Sequence, residues 1–399
     1  ILKQDVGIRV QGNSSRYHSH LKRFSIYARK DYSGSSYLDL SLINEFRQHA
    51  IYTRPGSHFA FTQALAKNSA VSSIDQVNAH VFLDGEFWYP TYVFEKFDEK
   101  NFADKYGITA DNILMIENNS IPEDADAGNN PFSKLKTYPE THDLSTKEAY
   151  EELTEIIDIE SYIDMLCFQI YMANMDVQEY WNSMVWHTVI PEDSPYGDTR
   201  WRWGLFDVDL SWGVLRKEFG DIPAYKINPF TMYGNYQETP IGEWPLFKAL
   251  RQNPEFNKDF ITSFMNLVNT TFTGDFLTDT INRLNLDDET ILEFMEKRSF
   301  HVIPMLAEAF DLSGSPEAVN LTSNKEEASV TINGISAEYK DHLFSPWYYS
   351  DYPVHLETQD ESFDHYEIED RKGARIITDP ITDITLEKGG LKVHAVFKQ

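Results

Sequence analysis

Hydrophobic and polar positions alternate along much of the first part of the chain, up to about residue 110. In Phe24-Ser-Ile-Tyr-Ala the apolar residues recur at every second position, which is typical of a half-buried strand. Asp84-Gly85 lies between two strand-like runs and predicts a two-residue hairpin turn. Phe61 to Lys67 is a short helical stretch. The pattern predicts a strand-rich region of hairpins with one helix.

Helical spacing replaces this alternation after Asn118 to Thr141, a polar segment rich in Asn, Pro, Asp and Gly that predicts a long loop. Ser145 is the predicted N-cap of the next helix, because Glu148 three residues later completes a capping box. A second helix is predicted by apolar residues at helical spacing, namely Ile163, Leu166, Cys167, Ile170 and Tyr171. That helix leads directly into the segment that begins at Met175.

Two further patterns complete the middle of the chain. The runs Ser183 to Ile190 and Arg200 to Leu210 predict a hairpin. The region Leu246 to Ala309 predicts helices, with breaks at Asn253-Pro254 and at Asp275 to Asp279.

The pattern changes again near Leu312. Ser313-Gly-Ser-Pro and Asn320 to Glu327 predict a linker. The strand-like runs that follow are Ala328-Ser-Val-Thr-Ile-Asn-Gly, Pro353-Val-His-Leu-Glu-Thr, His365-Tyr-Glu-Ile, Asp383-Ile-Thr-Leu and Lys392-Val-His-Ala-Val-Phe. This tail resembles the small β-repeat modules, of divergent internalin type, that are appended to bacterial surface proteins. Its aromatics Trp347-Tyr-Tyr and Tyr352 either bind a glycan or another surface partner, or pack the module, and packing is the favoured interpretation.

Length and composition support several units. A chain of 399 residues is long for one hydrophobic core, and 41% apolar residues are enough to bury proper cores. The predicted class is α+β. The predicted units are residues 1–117, strand-rich; 118–312, mainly helical; and 321–399, a small all-β module resembling a β-sandwich or β-repeat.

The formal net charge of −28 argues against nucleic acid as a partner, because a protein that binds polyanions needs a basic stripe. An anionic membrane surface is disfavoured for the same reason. An acidic field attracts Lys- and Arg-rich partners instead. The alternative is that the charge serves only solubility.

Cysteine content and hydropathy leave the compartment open. Cys167 stands alone in an apolar helical run, so it is read as a small buried hydrophobe and not as a nucleophile. The sequence shows no run of 18 apolar residues and no signal peptide, so membrane insertion is not expected. Ile1-Leu2 begins abruptly, and we expect that a targeting segment is missing from this chain.

Four polar residues stand out between Met175 and Gly213 because aromatic and aliphatic residues surround them: Asp176, Asn182, Asp207 and Asp209. On a strand, residues two apart project to the same face, so Asp207 and Asp209 would point together while Val208 faces the core. Mg²⁺ takes oxygen ligands and usually accepts one or two protein carboxylates plus substrate phosphates. The pair Asp207 and Asp209 therefore predicts a shared metal site.

These residues can support phosphoryl transfer, which needs metal, positioning and a residue to orient the attacking hydroxyl. Asp176 is the candidate for that last role, and Asn182 would supply a neutral amide oxygen to a metal. The alternative is that Asp176 caps a helix end or turn and that Asp207 and Asp209 are solvent-facing strand residues. The short Asp-x-Asp spacing leaves both interpretations open.

Other motifs are weaker. Gly7 and Gly12 flank Asn13-Ser14-Ser15, whose hydroxyls and backbone amides could line a phosphate, although turn formation explains the segment as well. The sequence contains no Walker or Gly-x-Gly-x-x-Gly pattern and no Gly-x-Ser-x-Gly nucleophile elbow. The histidines show no zinc-ligand spacing.

From Val6 to about Met305 the sequence resembles the CotH family of atypical secreted or spore-coat protein kinases. Segments that match in the family's order are Val6-Gly-Ile-Arg-Val-Gln-Gly-Asn-Ser-Ser-Arg, Lys22-Arg-Phe-Ser-Ile-Tyr-Ala-Arg, Val81-Phe-Leu-Asp-Gly-Glu-Phe-Trp with Phe94-Glu-Lys-Phe-Asp, Ile159-Glu-Ser-Tyr-Ile-Asp, and Trp244-Pro-Leu-Phe-Lys-Ala-Leu with Asn253-Pro-Glu-Phe.

The resemblance implies a two-lobed, protein-kinase-like fold in which the strand-rich N-lobe covers a nucleotide and the C-lobe is mainly helical. It also implies ATP and Mg²⁺ or Mn²⁺. The resemblance implies that Lys22 contacts phosphate and that Glu95 pairs with Lys22 or supports the metal. It implies the catalytic role for Asp176. Asn182 and Asp207 would bind the metal, and Asp209 would be a second ligand or a support. Asn13, Ser14 and Ser15 are the further nucleotide-binding candidates.

Two departures from the family pattern are visible. Asn182 lies six residues after Asp176, whereas the family has four or five, so the loop between them is longer and bulkier. Tyr89-Pro90 also replaces the Gly that follows the family's Trp, which predicts a reshaped hairpin at an edge strand.

The sequence therefore predicts a Ser/Thr protein kinase that acts on basic, coat or surface proteins and that is secreted or held at the cell surface or spore coat of a bacterium. A catalytically silent surface scaffold with a kinase-like fold is the main alternative. A metal-dependent phosphohydrolase using the same carboxylates is the third.

Overall fold

The structure of the protein is a computed structural model. It describes residues 3–12, 16–17, 19–38, 43–120, 131–214, 222–232, 239–325, 328–350 and 352–398. Helices and several β-sheets are both present, which confirms the predicted α+β class. The chain divides into two compact units, one of Ile1–Asn253 with Asp275–Val302, the other of Pro254–Gly274 with Ile303–Gln399.

The elements are numbered in chain order. The helices are α1 Lys30–Ser33, α2 Ser57–Leu65, α3 Glu99–Tyr106, α4 Pro131–Thr141, α5 Lys147–Ile156, α6 Ile159–Tyr171, α7 Pro245–Leu250, α8 Pro254–Thr270, α9 Gly274–Leu284 and α10 Glu289–Ala309. The strands of the first unit are β1 Gly7–Val10, β2 Phe24–Tyr27, β3 Ala50–Arg54, β4 Gln76–Leu83, β5 Glu86–Glu95, β6 Ile113–Glu117, β7 Met184–Thr188 and β8 Arg202–Gly204. Those of the second unit are β9 Pro316–Ser323, β10 Thr331–Ile332, β11 Ile335–Ser336, β12 Trp347–Tyr349, β13 Pro353–Glu357, β14 Phe363–Asp370, β15 Gly373–Ile377, β16 Ile381–Thr385 and β17 Leu391–Phe397.

The first five strands form one antiparallel sheet in the order β1-β2-β3-β5-β4. The central strand β3 is buried along its whole length. Tyr52 of β3 stacks on Phe94 of β5 with ring centroids 5.2 Å apart, and Phe59 of α2 meets Phe94 edge-on at 5.0 Å. This aromatic packing fixes the end of β3, where Arg54 lies.

The predicted hairpin at Asp84-Gly85 is confirmed. Leu83 pairs with Glu86 across the turn, and both turn residues have positive φ, 51° at Asp84 and 85° at Gly85. Positive φ at both central residues is what a type I′ turn requires, and its twist matches that of the flanking strands.

A second antiparallel sheet has the order β6-β7-β8. The hairpin predicted across residues 183–210 is confirmed for β7 and β8, but β8 ends at Gly204, so the predicted second strand is shorter than expected. Helix α6 begins after Asp158, whose carboxylate accepts a hydrogen bond from the Ser161 backbone N–H at 3.1 Å. Cys167 on α6 is free and buried, as predicted, and burial raises the pKa of its thiol well above the usual value.

Two predictions around residues 118–148 are wrong. The segment read as a loop up to Thr141 contains α4, because Phe132, Leu135 and Tyr138 bury one face of a helix. The N-cap of α5 is Thr146 and not Ser145. The Thr146 hydroxyl accepts from the Ala149 backbone N–H at 3.3 Å, while the Ser145 hydroxyl donates to Asp143 at 2.7 Å.

The predicted helix break at Asp275 to Asp279 is also wrong, because these residues lie inside α9. The helix ends after Leu284, where Asn285 has a φ of 50°. Asp275 lies in the first turn of α9, where acidic side chains are favourable, so this acidic segment does not interrupt the helix. The break at Asn253-Pro254 is confirmed, since α8 begins at Pro254.

The strands of the second unit form two sheets, with orders β11-β10-β13-β16 and β12-β9-β17-β14-β15. The predicted linker at residues 320–327 is wrong in part, because β9 occupies Pro316–Ser323 and buries Val319 and Leu321. It pairs with β17 in parallel, and parallel neighbours far apart in sequence leave no local hairpin signal.

The aromatic triplet in β12 mainly packs, as favoured from the sequence. Tyr348 and Tyr349 are buried, and their hydroxyls donate to Asn266 at 2.7 Å and to the Ile303 carbonyl at 2.6 Å. Trp347 is the exposed member of the three.

Within the described ranges, no helix combines the length and the apolar character that crossing a membrane requires.

Candidate functional site

The loop that carries Asp176 starts where α6 ends, at Tyr171. The backbone N–H of Asp176 donates to the side-chain oxygen of Asn174 at 3.1 Å. Asn174 in turn donates to Gln169 at 2.9 Å, and both of these amide side chains are buried. Buried amides therefore hold the main chain at Asp176, whose side chain is half-buried.

Asn182 closes this loop. Its side-chain nitrogen donates to the Asp176 carbonyl at 2.6 Å, and its backbone N–H donates to Asn118 at 2.9 Å. Asn182 has a φ of 51°, a left-handed conformation that Asn tolerates better than most residues. These contacts use the backbone nitrogen and the side-chain nitrogen of Asn182. The side-chain carbonyl oxygen of Asn182 is therefore the atom that could ligate a metal.

The extra length of the loop folds into a compact turn. Gln178 and Trp181 exchange two backbone hydrogen bonds, at 3.0 and 3.2 Å. Val177 and Glu179 point into the interior, while Trp181 is exposed. The longer loop is therefore accommodated by this turn, and Asp176 and Asn182 remain in direct contact.

Glu179 anchors the turn from inside. Its carboxyl oxygen accepts from the Tyr162 hydroxyl at 3.0 Å and from the Leu246 backbone N–H at 3.1 Å. Burial raises the pKa of Glu179 to about 7, against the effect of these hydrogen bonds. The side chain therefore titrates near neutral pH.

Arg298 of α10 holds the end of α6. Its fully buried guanidinium donates to the carbonyls of Tyr171 at 2.8 Å, Ile170 at 2.8 Å, Tyr225 at 2.9 Å and Ile227 at 2.7 Å. Helix C-terminal carbonyls carry partial negative charge and attract cations. Burial nevertheless lowers the pKa of Arg298 to about 9. This contact fixes the point at which the Asp176 loop leaves the helix.

Asp207 and Asp209 lie in a turn after β8 and not on a strand, which corrects the sequence-based expectation. Asp207 has a φ of 51°, so the chain bends there. The expected directions are nevertheless found, because both carboxylates meet Arg54 while Val208 is fully buried. The backbone N–H of Trp212 donates to the Met172 carbonyl at 2.9 Å, which ties this turn to the start of the Asp176 loop.

Arg54 lies between the two carboxylates. One of its terminal nitrogens is 2.8 Å from Asp207 and also contacts Asp209. The Arg54 guanidinium also lies over the Phe59 ring, 4.2 Å from its centroid, and its side chain is 7% exposed. Burial opposes its charge, but Asp209 and Asp207 outweigh burial and raise the pKa of Arg54. Burial in turn opposes the charge of Asp209, and Arg54 lowers the pKa of that carboxyl.

Arg23 is the second cation at this turn, 3.4 Å from Asp209. Burial and the nearby charge of Arg54 lower the pKa of Arg23, and Asp209 only partly offsets them. Its side chain is 22% exposed, three times as open as that of Arg54.

Lys22, the predicted phosphate contact, has its ammonium on backbone carbonyls, 2.8 Å from Arg16 and 2.8 Å from Ser19. The carbonyl of Lys22 accepts from the Tyr89 hydroxyl at 2.7 Å. Asn13, Ser14 and Ser15, the other predicted phosphate contacts, lie outside the described residues.

Glu95 takes its cation from Lys105 and not from Lys22. Its carboxylate accepts from Lys105 at 3.1 Å, from the Asp75 backbone N–H at 2.9 Å and from Asn44 at 3.0 Å, and it is almost fully buried. Burial opposes the charge of Lys105, but Glu95, Tyr106 and Asp75 raise its pKa above the usual value. Glu95 thus belongs to a separate buried cluster.

A divalent cation fits the Asp207–Asp209 turn. Among the described residues, no three His, Cys, Asp or Glu side chains form a group that could hold a metal ion. Mg²⁺, however, needs only one or two carboxylates when phosphates supply further oxygens. Arg54 contacts one oxygen of each carboxylate, and the two side chains are 43% and 31% exposed, which leaves oxygens open to solvent.

Sequence reasoning missed Arg23 and Arg54. A signal existed for Arg54, since it ends an apolar strand immediately before Pro55-Gly56, where a charged residue is unexpected. The pairing with Asp207 and Asp209, residues more than 150 positions away, had no signal in one sequence.

A comparison with known families places residues 8–301 in one match, to the family described as CotH kinase protein. The match covers well over half of the chain and includes all the residues of the site. No curated protein matches the chain.

Proposed function

The chain belongs to the CotH kinase family, and on this basis we propose that it is a protein kinase that transfers the γ-phosphoryl group of ATP to a Ser or Thr hydroxyl of a protein. The observation that supports this most is the convergence of Asp207 and Asp209 on Arg54 with oxygens left open to solvent. Mg²⁺ on a nucleotide usually takes one or two protein carboxylates, and this pair can supply them.

The β1–β5 sheet would form the nucleotide-covering lobe, and the region of α4–α7 the mainly helical lobe of a kinase-like fold. Asp207 and Asp209 would hold Mg²⁺ or Mn²⁺, with the carbonyl oxygen of Asn182 as a further ligand. When bound, the cation supplies neutralisation of charge on the β- and γ-phosphates.

Asp176 would orient the acceptor hydroxyl and accept its proton. The hydroxyl oxygen forms the new bond to the γ-phosphorus, the bond to the bridging oxygen breaks, and ADP leaves. The buried hydrogen bonds around Asp176 suit this role, because catalysis of phosphoryl transfer depends mainly on positioning.

The acceptor would be a basic protein segment. The formal net charge of −28 gives the protein a field that attracts Lys- and Arg-rich chains and speeds their encounter at low salt. Raising the salt concentration should therefore raise KM for a basic acceptor while leaving KM for a neutral acceptor nearly unchanged.

Transfer of labelled γ-phosphate from ATP to the protein itself and to a Ser/Lys-rich basic protein tests the proposal. Asp176→Asn should reduce transfer by about 10²-fold or more, the range for loss of a positioned acid–base group. Asp207→Asn should also reduce transfer, through the loss of a charged ligand for the cation. Asp193→Asn, at an exposed position outside the site, is the control and should retain activity.

Other outcomes separate the alternatives. Release of phosphate without labelled acceptor would point to a phosphohydrolase using the same carboxylates. No turnover, together with no rise of the melting temperature on adding nucleotide and metal, would reject the kinase and favour a non-catalytic binding protein.

A further inference from the structure

Lys22 and Arg23 are neighbours in the chain, yet their charged groups have different surroundings. The Lys22 ammonium donates to two backbone carbonyls in the segment just before it, at 2.8 Å each. The Arg23 guanidinium reaches Asp209, 186 residues away. Of these two charged groups, that of Arg23 is the one that contacts the Asp207–Asp209 turn.

Arg23 and Arg54 differ in accessibility. Arg54 is 7% exposed, with Phe59 against its face and a terminal nitrogen shared by Asp207 and Asp209. Arg23 is 22% exposed and contacts one carboxylate at 3.4 Å, which is long for a charge-assisted hydrogen bond. Arg54 thus meets both carboxylates through one terminal nitrogen, while its buried Nε has no hydrogen-bond partner among the described residues. Arg23 is the more accessible of the two guanidinium groups.

The local charges call for an anion. Two guanidinium groups face two carboxylates, so the four groups balance as they stand. A divalent cation on the carboxylates would leave an excess of two positive charges. A phosphate group restores the balance, and a guanidinium fork matches its oxygens.

We propose that Arg23 binds a phosphate group of the nucleotide, with Arg54 as the positioning residue that holds Asp207 and Asp209. Lys22 then has a structural role, because its ammonium links the carbonyls of Arg16 and Ser19. The choice of a nucleotide as the ligand rests on the proposed function, but a phosphate site at Arg23 does not require transfer activity.

The test compares the two neighbouring positions. Binding of ATP, of tripolyphosphate and of adenosine is measured by calorimetry in Mg²⁺ for the parent, Arg23→Gln, Arg23→Lys and Lys22→Gln. Arg23→Gln should weaken ATP and tripolyphosphate about 10- to 100-fold, the scale of a lost charge-assisted contact, and should leave adenosine unchanged. Arg23→Lys should recover part of the affinity, and Lys22→Gln should stay within about twofold.

Each outcome supports or overturns the inference. A loss of phosphate affinity in Lys22→Gln but not in Arg23→Gln overturns the inference, and an equal loss in both reduces it to an effect of net charge. No binding of either phosphate compound to the parent also overturns it. Arg23-dependent binding of tripolyphosphate without binding of ATP would support the phosphate site and reject the proposed kinase. Arg23→Lys and a thermal unfolding curve for each variant guard against loss of folding.

Discussion

The two segments that bear the candidate carboxylates are held by different forces. Hydrogen bonds to the main chain and buried side chains hold the Asp176 loop, through Asn174, Asn182 and Glu179. Ion pairs with Arg54 and Arg23 hold the turn of Asp207 and Asp209. The Asp176 loop is held by hydrogen bonds, whereas the turn of Asp207 and Asp209 has ion pairs in addition to its backbone hydrogen bond from Trp212 to Met172.

Because of this difference, substitutions in the two segments should affect different properties, namely folding stability in one and the response to salt and metal in the other. Main-chain hydrogen bonds place Asp176 without engaging a metal or phosphate, so substitutions that break them should act on folding and on geometry. Ion pairs at a solvent-open turn exchange with ions, so substitutions there should change salt and metal dependence. Substitutions can test whether the two segments separate in this way.

The largest expected effect is at Arg298, behind the Asp176 loop. Arg298→Leu should lower the free energy of unfolding by about 3–5 kcal/mol, because four carbonyls, three of them in buried hydrogen bonds, lose their donor. Urea unfolding measures this loss. The matched control is Lys297→Ala, at an exposed neighbour paired with Glu293, which should cost under about 0.5 kcal/mol. Similar losses in both variants would show that α10 as a whole is sensitive there.

The next effect is at Arg54. Arg54→Met should cost about 2–3 kcal/mol, less than a fully buried pair, because Asp207 and Asp209 can regain water. The loss should shrink as salt screens the repulsion between the freed carboxylates, whereas the loss in Arg298→Leu should not. Unfolding in low and high NaCl compares the two variants. Equal salt dependence would contradict the separation of the segments.

Local sequence patterns predicted much of the fold. The Asp84-Gly85 hairpin and the buried face of α6 were predicted because turn chemistry and period are local. Strand β9 was missed because it pairs in parallel with β17 across more than sixty residues. Helix α4 was not predicted, because its three buried apolar residues stand among polar residues and Pro, which are typical of loops.

The site shows the same limit. Asp207 and Asp209 were predicted to point together, and they do, but through a turn and a shared arginine and not through a strand. Glu95 is a buried acid whose cation, Lys105, lies on the next helix. Which cation meets which carboxylate is decided by tertiary packing, and one sequence does not record it.

The pH dependence of the Asp176 loop gives the third prediction. Because the pKa of Glu179 is about 7 when folded and near 4.5 when unfolded, the folded state holds the proton more strongly. The contribution of Glu179 to stability is therefore full below pH 4.5 and is lost as pH rises through 7. Glu179→Gln keeps an acceptor but removes the titration.

The measured quantity is the difference in free energy of unfolding between parent and Glu179→Gln at two pH values. From pH 5.5 to pH 8 the parent should lose about 2 kcal/mol relative to the variant, at roughly 1.4 kcal/mol per unit of pKa shift. Other titrating groups cancel in this difference. A constant difference across that range would mean that Glu179 ionises normally in the folded protein.

The smallest effect is expected for Asn182→Gly. This substitution tests whether Asn182 closes the Asp176 loop or binds the metal. Asn182→Gly accepts the φ of 51° but loses the 2.6 Å hydrogen bond to the Asp176 carbonyl, which should cost about 1 kcal/mol. Asn182→Ala should cost about 1 kcal/mol more, because Ala is strained at this φ. Calorimetric titration with Mn²⁺ and ATP then separates loop closure from metal binding. If Asn182→Gly keeps the metal affinity of the parent but loses transfer, Asn182 acts through the position of Asp176. If the affinity of Asn182→Gly for Mn²⁺ falls about tenfold, the side-chain carbonyl oxygen of Asn182 is a metal ligand. Metal binding would then hold the Asp176 loop in addition to its hydrogen bonds.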